Sequence, residues 1–285
     1  MKQEFHILID AQTPAEDKVA SIMAQHTNLS KQAIKQAMKK GTLWIEDDKG
    51  VRRLRRADTI PPRGSTLHLY YDTDILDTTP PQPTLIADEH GYSIWCKPAG
   101  MLSQGSKWGD HCTINRWIES NTPFDTKPER NCFVVHRLDR AACGLMIIAH
   151  KKSIAAQLSA LFEKRDITKR YRVIVEGAFP QEEQIIESDI EGKKAFSATK
   201  RIAFCPRQNR SLLDVDIKTG RKHQIRIHLS RLGYPVAGDR LHGIADQPAA
   251  AQEDLQLCAF SLHFICPITG QDKQYELPAE RALAL

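Results

Sequence analysis

Several features are scarce in this chain of 285 residues, and each scarcity excludes a class of protein. No apolar run approaches the roughly 20 residues that a membrane-crossing helix needs. The opening MKQEFHILIDAQTP has no long apolar stretch behind its lysine, so a secretory leader is not expected. The seven cysteines, at 96, 112, 132, 143, 205, 258 and 266, are odd in number, and no two have Cys-x-x-Cys spacing. That argues against a disulfide framework and against a structural zinc site. The 11 histidines show no metal-ligand spacing either. Internal repeats are absent, as is any low-complexity tract apart from one short proline-rich stretch. Together these point to a cytoplasmic protein with reduced thiols and no metal. The formal net charge is only +5, so the placement of charge matters more than its sum.

What the chain does have is a large apolar fraction, 41%, and enough length for two domains. Near the front, NLSKQAIKQAMKKG carries helix punctuation. Ser30 suits an N-cap and Gly41 a C-terminal stop. Ala33, Ile34, Ala37 and Met38 share one face; Lys31, Lys35 and Lys39 share another. TLWIEDDKG then reads as a strand and a turn. Arg52, Arg53, Arg55 and Arg56 follow before a second strand in STLHLYY. Between residues 30 and 63, ten Lys/Arg stand against four Asp/Glu, a net +6. A basic surface of this kind fits a polyanion, because neutralising phosphates releases counterions. The arrangement resembles the small RNA-binding module named after ribosomal protein S-four, over roughly residues 10 to 72. It departs from that module where AEDKVASIM replaces the usual Arg-Leu-Asp opening. Residues 1–75 are therefore expected to form an S-four-like α+β domain whose RNA-binding surface carries those three lysines and four arginines. Residues 76–84, polar and with three prolines, are expected to be a linker.

From residue 85 onward, strands and helices alternate without a regular βαβ repeat, which predicts an α+β domain with a mixed, mostly antiparallel sheet. YSIWCK reads as a strand ending at Lys97-Pro98, and INRWIES as a short helix. SIAAQLSALFEK reads as an amphipathic helix with Ser153 as N-cap and Ile154, Leu158, Leu161 and Phe162 in register. RYRVIVEG is rich in β formers. In SLLDVDI, Leu213, Val215 and Ile217 alternate with Asp214 and Asp216. RKHQIRIHLSRLG switches to helical spacing through Ile225, Leu229 and Leu232 and stops at Gly233.

Three constellations carry chemistry. The first is His136-Arg137-Leu138-Asp139-Arg140 with Gly144, set between two apolar runs. A carboxylate between two arginines fits a surface turn as readily as a reactive group. The second is Lys169-Arg170-Tyr171-Arg172 ahead of VIVEG. The third is TGRKHQIRIH, Thr219 to His228, followed by GDRLHG. In this order the three resemble the RluA-type family of RNA pseudouridine synthases, whose motifs run H-R-L-D-x-x-T-S-G-L, K-x-Y, T-G-R-x-H-Q-I-R-x-H and G-D-x-L-Y-G. KPAG at 97–100 is similar to the family as well, and the resemblance covers about residues 85–285. Two departures stand out: Ala142-Cys143 replace Thr-Ser, and His242 replaces Tyr.

The resemblance implies an isomerase without cofactor, which detaches uracil from ribose in RNA, turns it and rejoins it through carbon. It implies that Asp139 is the catalytic aspartate, either attacking the sugar or removing a sugar proton. It also implies that Arg221 pairs with that aspartate. Tyr171 would stack on the uracil. Arg137 would take the place of the flipped base. From the residues themselves, Lys164, Arg165, Lys169 and Arg170 together suggest a phosphate-facing rim, with Lys169 at the substrate site. His136, His223 and Gln224 would support the substrate site. Large-subunit ribosomal RNA is the expected partner, with transfer RNA as the alternative, and the chain is expected to be a monomer. Two other readings compete: a silent RNA-binding or assembly protein, suggested by Ala142-Cys143, and a glycosylase that would release free uracil.

Overall fold

The computed structural model describes residues 1–121, 124, 130–243 and 253–285. These divide into two compact units. The first is Met1–Pro80 together with Gln104–Trp117; the second is Pro81–Ser103 together with Ile118–Leu285. Residues 104–117 lie within the stretch expected to form the larger domain, yet they cluster with the front of the chain.

In the first unit, β1 (Lys2–Leu8) leads to helices α1 (Val19–His26) and α2 (Lys31–Lys39). The strands β2 (Leu43–Asp47), β3 (Gly50–Arg53) and β4 (Thr66–Asp72) follow, and the antiparallel sheet has the order β1-β4-β2-β3. Helix α2 starts where its punctuation predicts: the Ser30 side chain accepts from the Ala33 N–H at 3.1 Å. Ile34, Ala37 and Met38 are buried, while Lys31, Lys35 and Lys39 are exposed. The core joins these residues to Val19, Ile22 and Met23 of α1 and to Leu43, Ile45, Leu67 and Leu69 of the sheet. The expected linker begins later than its composition suggests. Asp72 caps a short helix, α3 (Thr73–Leu76), and Leu76 is buried.

The second unit is built on one long sheet. Its elements in chain order are β5 (Thr84–Asp88), β6 (Tyr92–Lys97), α4 (Ile114–Asn121), which begins in the first unit's segment, β7 (Phe133–Val134), β8 (Cys143–Ala149) and α5 (Lys152–Lys164). Then come β9 (Ile167–Glu176), β10 (Gln184–Ile190), β11 (Lys193–Cys205), β12 (Arg210–Ile217), α6 (Gln224–Arg231), β13 (Leu257–Ile265) and β14 (Asp272–Glu276). The sheet runs β10-β11-β12-β9-β13-β8-β6-β5, with β14 on β13 and β7 on β8. Among the described residues only β13 and β8 pair in parallel, so the sheet is mixed and mostly antiparallel. Helix α5 packs Ile154 and Leu158 into a core with Leu145, Ile147, Phe260 and Phe264. It starts one residue before the expected cap: Ser153 lies inside it, and the flanking Lys151 makes no side-chain cap. Helix α6 buries Ile225 and Leu229 but ends at Arg231, which leaves Leu232 exposed.

Candidate active site

The loop from His136 to Ala142 is tied down from below by residues 97–103. Lys97 is fully buried, and its ammonium donates to the carbonyls of Ala142 at 2.6 Å and of Pro98 and Met101 at 3.0 Å each. Burial pulls its pKa down to about 8. The Ser103 hydroxyl donates to the Leu138 carbonyl at 2.7 Å and accepts from the Leu138 N–H at 3.1 Å. Gly100 N–H donates to the Arg140 carbonyl at 2.8 Å. Leu138 is buried between these anchors, so the loop is tied down immediately on the N-terminal side of Asp139. The loop re-enters the sheet at Gly144, which has φ +118°, and a Cβ there would lie 2.3 Å from the Ala259 carbonyl oxygen. Only glycine fits that approach, and it places the loop over the register row Gly144, Ala259, Tyr171.

Asp139 is held from above by α6. Its Oδ2 accepts from Arg226 Nη1 at 3.3 Å, and its Oδ1 lies 3.9 Å from His223 Nε2. Arg226 is itself buried, with 4% of its side chain exposed, and its other nitrogens grip Asp239 in a two-pronged bridge at 2.7 and 2.5 Å. Asp239 Oδ1 also accepts from the N–H groups of Leu241 and His242 at 2.9 and 3.0 Å. Burial would raise the Asp239 carboxyl, but the Arg226 and backbone hydrogen bonds outweigh it and hold it below the usual value. The planar guanidinium thus serves two carboxylates at once, a geometry that lysine cannot supply.

This corrects one expectation. Arg221 does not pair with Asp139; its Nε donates to the Lys194 carbonyl at 3.2 Å. The cause lies in where the helix begins. Arg221 precedes α6 in a turn, whereas Arg226 sits on its third residue and faces the loop. Arg221 still lines the same cavity of about 210 Å³ as Asp139, Tyr171, Arg137 and His223.

Tyr171, on β9, is 8% exposed and lines that cavity. Burial and then the nearby Asp139 raise its phenol well above the usual value, so it stays protonated at neutral pH. His136 stacks on Phe162 with ring centroids 4.4 Å apart, and its Nε2 accepts from the Ile147 N–H at 2.9 Å. Burial, then Lys169, push its pKa down to about 3, so it acts as a neutral strut. Gln224, expected to support the substrate site, is an internal brace rather than a group that touches substrate. Its carbonyl accepts from Thr219 Oγ1 at 2.7 Å and the Arg221 N–H at 3.0 Å, while its amide donates to the Phe196 carbonyl and Ser197 Oγ. Nothing on the amide is left for a ligand. Arg137 is exposed on the cavity rim and makes no hydrogen bond or ion pair among the described residues. Lys169 lies 5.7 Å over the Phe162 ring and lines a neighbouring cavity with Arg137 and Arg221. Arg170, expected on the same rim, is paired with Asp214.

The expected basic surface of the first unit divides in two. Lys31, Lys35, Lys39 and Arg56 are exposed and unpaired among the described residues. Arg52 pairs with Asp47. Arg53 donates to the Gly41 and Ser106 carbonyls, with its Nη1 3.5 Å from Asp110, and Arg55 pairs with the same Asp110. These three arginines hold the unit together, since each meets a carboxylate or a chain of carbonyls that the fold brings beside it.

Three site residues escaped the sequence reading. Arg226 and Asp239 both lie in quoted motifs, but nothing in their spacing says that they meet. Ser103 follows KPAG closely and carries no signal of its own.

A family model described as RNA pseudouridylate synthase matches residues 91–231. Ribosomal large subunit pseudouridine synthase D of Zymomonas mobilis is 32% identical over 228 residues, 70% of this chain and 69% of that protein. tRNA pseudouridine synthase C of Vibrio vulnificus is 28% identical over 211 residues, 62% of this chain and 82% of that protein. The solved structure of human RNA pseudouridylate synthase domain containing 1 superposes with a TM-score of 0.58 at 20% identity, over 69% of this chain and 83% of that one, which shows the same fold.

Proposed function

This chain belongs to the RNA pseudouridine synthase family, an isomerase family, and within it we propose that Asp139 is the group that reacts with the ribose of a flipped-out uridine. In the isomerisation the N1–C1′ bond breaks, the uracil turns, and a C5–C1′ bond forms. C5 loses a proton and N1 gains one, so atoms and electrons balance without a cofactor. The observation that carries the reading is the position of Asp139: it is oriented through Oδ2 by Arg226 and lines a cavity that Tyr171 also lines. A carboxylate so placed can attack C1′ and expel the uracil, or take the C2′ proton to leave a glycal. The Tyr171 ring offers a flat face on which a base can turn. Arg137, without a partner of its own, can enter the helix position that the base leaves.

RNA tritiated at uracil C5 tests this. The wild-type protein releases label to water with no free base, and Asp139→Asn abolishes the release while RNA affinity stays within about threefold, as the substitution keeps shape and removes charge. Near-normal turnover of that variant would remove Asp139 from the chemistry, and labelled free uracil would mark a glycosylase.

For the substrate we propose large-subunit ribosomal RNA, supported by the Zymomonas mobilis relative. Transfer RNA is the second reading, supported by the Vibrio vulnificus relative. Mapping pseudouridines in both RNAs from a strain lacking the protein separates them, since the missing modification names the substrate. The first unit is proposed to add affinity through Lys31, Lys35, Lys39 and Arg56 at the phosphate backbone.

A further inference from the structure

His242 stands where the resembling family carries tyrosine, and its surroundings give it a task. The turn that presents it is built on the Arg226 clamp. Asp239 Oδ1 accepts from the His242 N–H at 3.0 Å, and a Cβ at Gly243 would lie 2.1 Å from the Asp239 carbonyl oxygen, so the turn closes only around glycine. His223, just ahead of α6, has left-handed backbone with φ 54°. The two rings meet edge to face with centroids 5.2 Å apart, and His223 Nδ1 lies 3.0 Å from His242 Nε2. On its other side, His223 Nε2 faces Asp139 Oδ1 at 3.9 Å.

We infer that His242 is a positioning residue that fixes the tautomer of His223, so that His223 carries its proton on Nε2 and offers it to Asp139. The inference rests on the reading of Asp139 as the reactive carboxylate. Two ring nitrogens 3.0 Å apart share one proton, and only two neutral arrangements exist. If His223 supplied that proton from Nδ1, its bare Nε2 lone pair would face a carboxylate oxygen, which is repulsive. If His242 supplies it from Nε2, each neighbour in the line His242, His223, Asp139 is a donor facing an acceptor. The groups that bear on His223 are Asp139, Arg226, His242 and Lys222. Burial, Arg226, Lys222 and His242 oppose a second proton on His223, and Asp139 favours one; the balance lies on the neutral side. Asp139 is thereby addressed at both oxygens, Oδ2 by Arg226 and Oδ1 by His223. Asp239 organises both holds, through a salt bridge to one and a turn to the other. At 3.9 Å this contact is longer than a hydrogen bond in the free protein, and catalytic hydrogen bonds commonly tighten only with substrate bound.

The test pairs kinetics with nitrogen-15 NMR of histidine-labelled protein. Wild-type His223 shows a protonated Nε2 and a bare Nδ1. In His242→Phe, which keeps a ring but has no donor, His223 shows a mixture of tautomers. In that variant kcat for tritium release falls about tenfold, while KM for RNA stays within about twofold. His242→Gln and His242→Tyr return a donor and recover kcat to within about threefold of wild type. A wild-type His223 protonated at Nδ1 overturns the inference. So does a His242→Phe variant with normal kcat alongside a silent Asp139→Asn, and in that case the reading of Asp139 stands. An active Asp139→Asn variant overturns that reading and the inference with it.

Discussion

The two units place positive charge in opposite ways. In the second unit the decisive cation, Arg226, is withdrawn from water and spanned by two carboxylates. In the first unit Lys31, Lys35 and Lys39 lie in a row on an exposed helix face, with no ion pair among the described residues. Between these extremes stand Arg53 and Arg55, which converge on Asp110 while keeping about a quarter of their side chains exposed. A guanidinium tolerates burial because its planar fork can satisfy several acceptors at fixed angles; an ammonium on a flexible stem is better kept in water, where it meets phosphate as a point charge. The same density of basic residues in the sequence therefore yields a buried clamp, an internal fastening or an open surface, according to burial.

The largest effect is expected where a buried cation serves two carboxylates. Arg226→Ala leaves Asp239 as an uncompensated buried carboxylate, a loss of about 3–5 kcal/mol in urea unfolding, and tritium release disappears. Arg221→Ala, five residues away, is expected to cost less than about 1 kcal/mol, because it loses one hydrogen bond to a carbonyl. Equal losses from the two would break the comparison. Asp239 also predicts a pH dependence. Its folded pKa lies below the ordinary 3.8, so its contribution is complete above that value and is lost as pH falls through the folded pKa. Stability should thus fall on acidification below about pH 4, and less steeply in Asp239→Asn, as read from unfolding midpoints at successive pH values.

How far the sequence foretold this depends on whether a feature is local. The helix over residues 31–39, the alternation in β12 and the helix beginning at Gln224 all follow from periodicity, and the structure has them. The α+β class with its mostly antiparallel sheet was legible for the same reason. β1 and α1 were not: α1 has no capping side chain, and β1 leaves Leu8 60% exposed, which blurs its alternation. Within the site, motif order singled out Asp139 and Tyr171, and the structure sets both on the wall of one cavity. The partner of Asp139 was not legible, because whether Arg221 or Arg226 faces inward is settled by the left-handed backbone at His223 and by Asp239, 13 residues beyond Arg226. The partners of Gln224 were hidden for a similar reason, since its acceptors, Phe196 and Ser197, come from a strand that the sequence did not reveal.

An intermediate effect is expected at the intermediate site. Asp110→Ala removes the carboxylate shared by Arg53 and Arg55. Both guanidinium groups can turn toward water, so the loss should be about 1–2 kcal/mol, well below that of Arg226→Ala. Unfolding of the whole chain followed by tryptophan fluorescence, with Trp44, Trp108 and Trp117 in this unit and Trp95 in the other, reports it. A loss as large as that of Arg226→Ala would mean that burial does not set the scale.

The smallest effect on stability, and the clearest on binding, is expected from the open surface. Replacing Lys31, Lys35 and Lys39 together by Gln keeps a good helix former at each position and removes no internal contact, so unfolding should change by less than about 0.5 kcal/mol. Each lysine that neutralises a phosphate releases a counterion. The plot of log affinity for structured RNA against log salt should therefore flatten by about 0.9 for each lysine engaged, nearly 3 if all three act. Turnover at saturating RNA should be untouched, because α2 belongs to the first unit and Asp139 to the second. An unchanged salt slope would show that this face is solvated without touching RNA, and would leave the buried clamp as the one charge arrangement in the comparison tied to function.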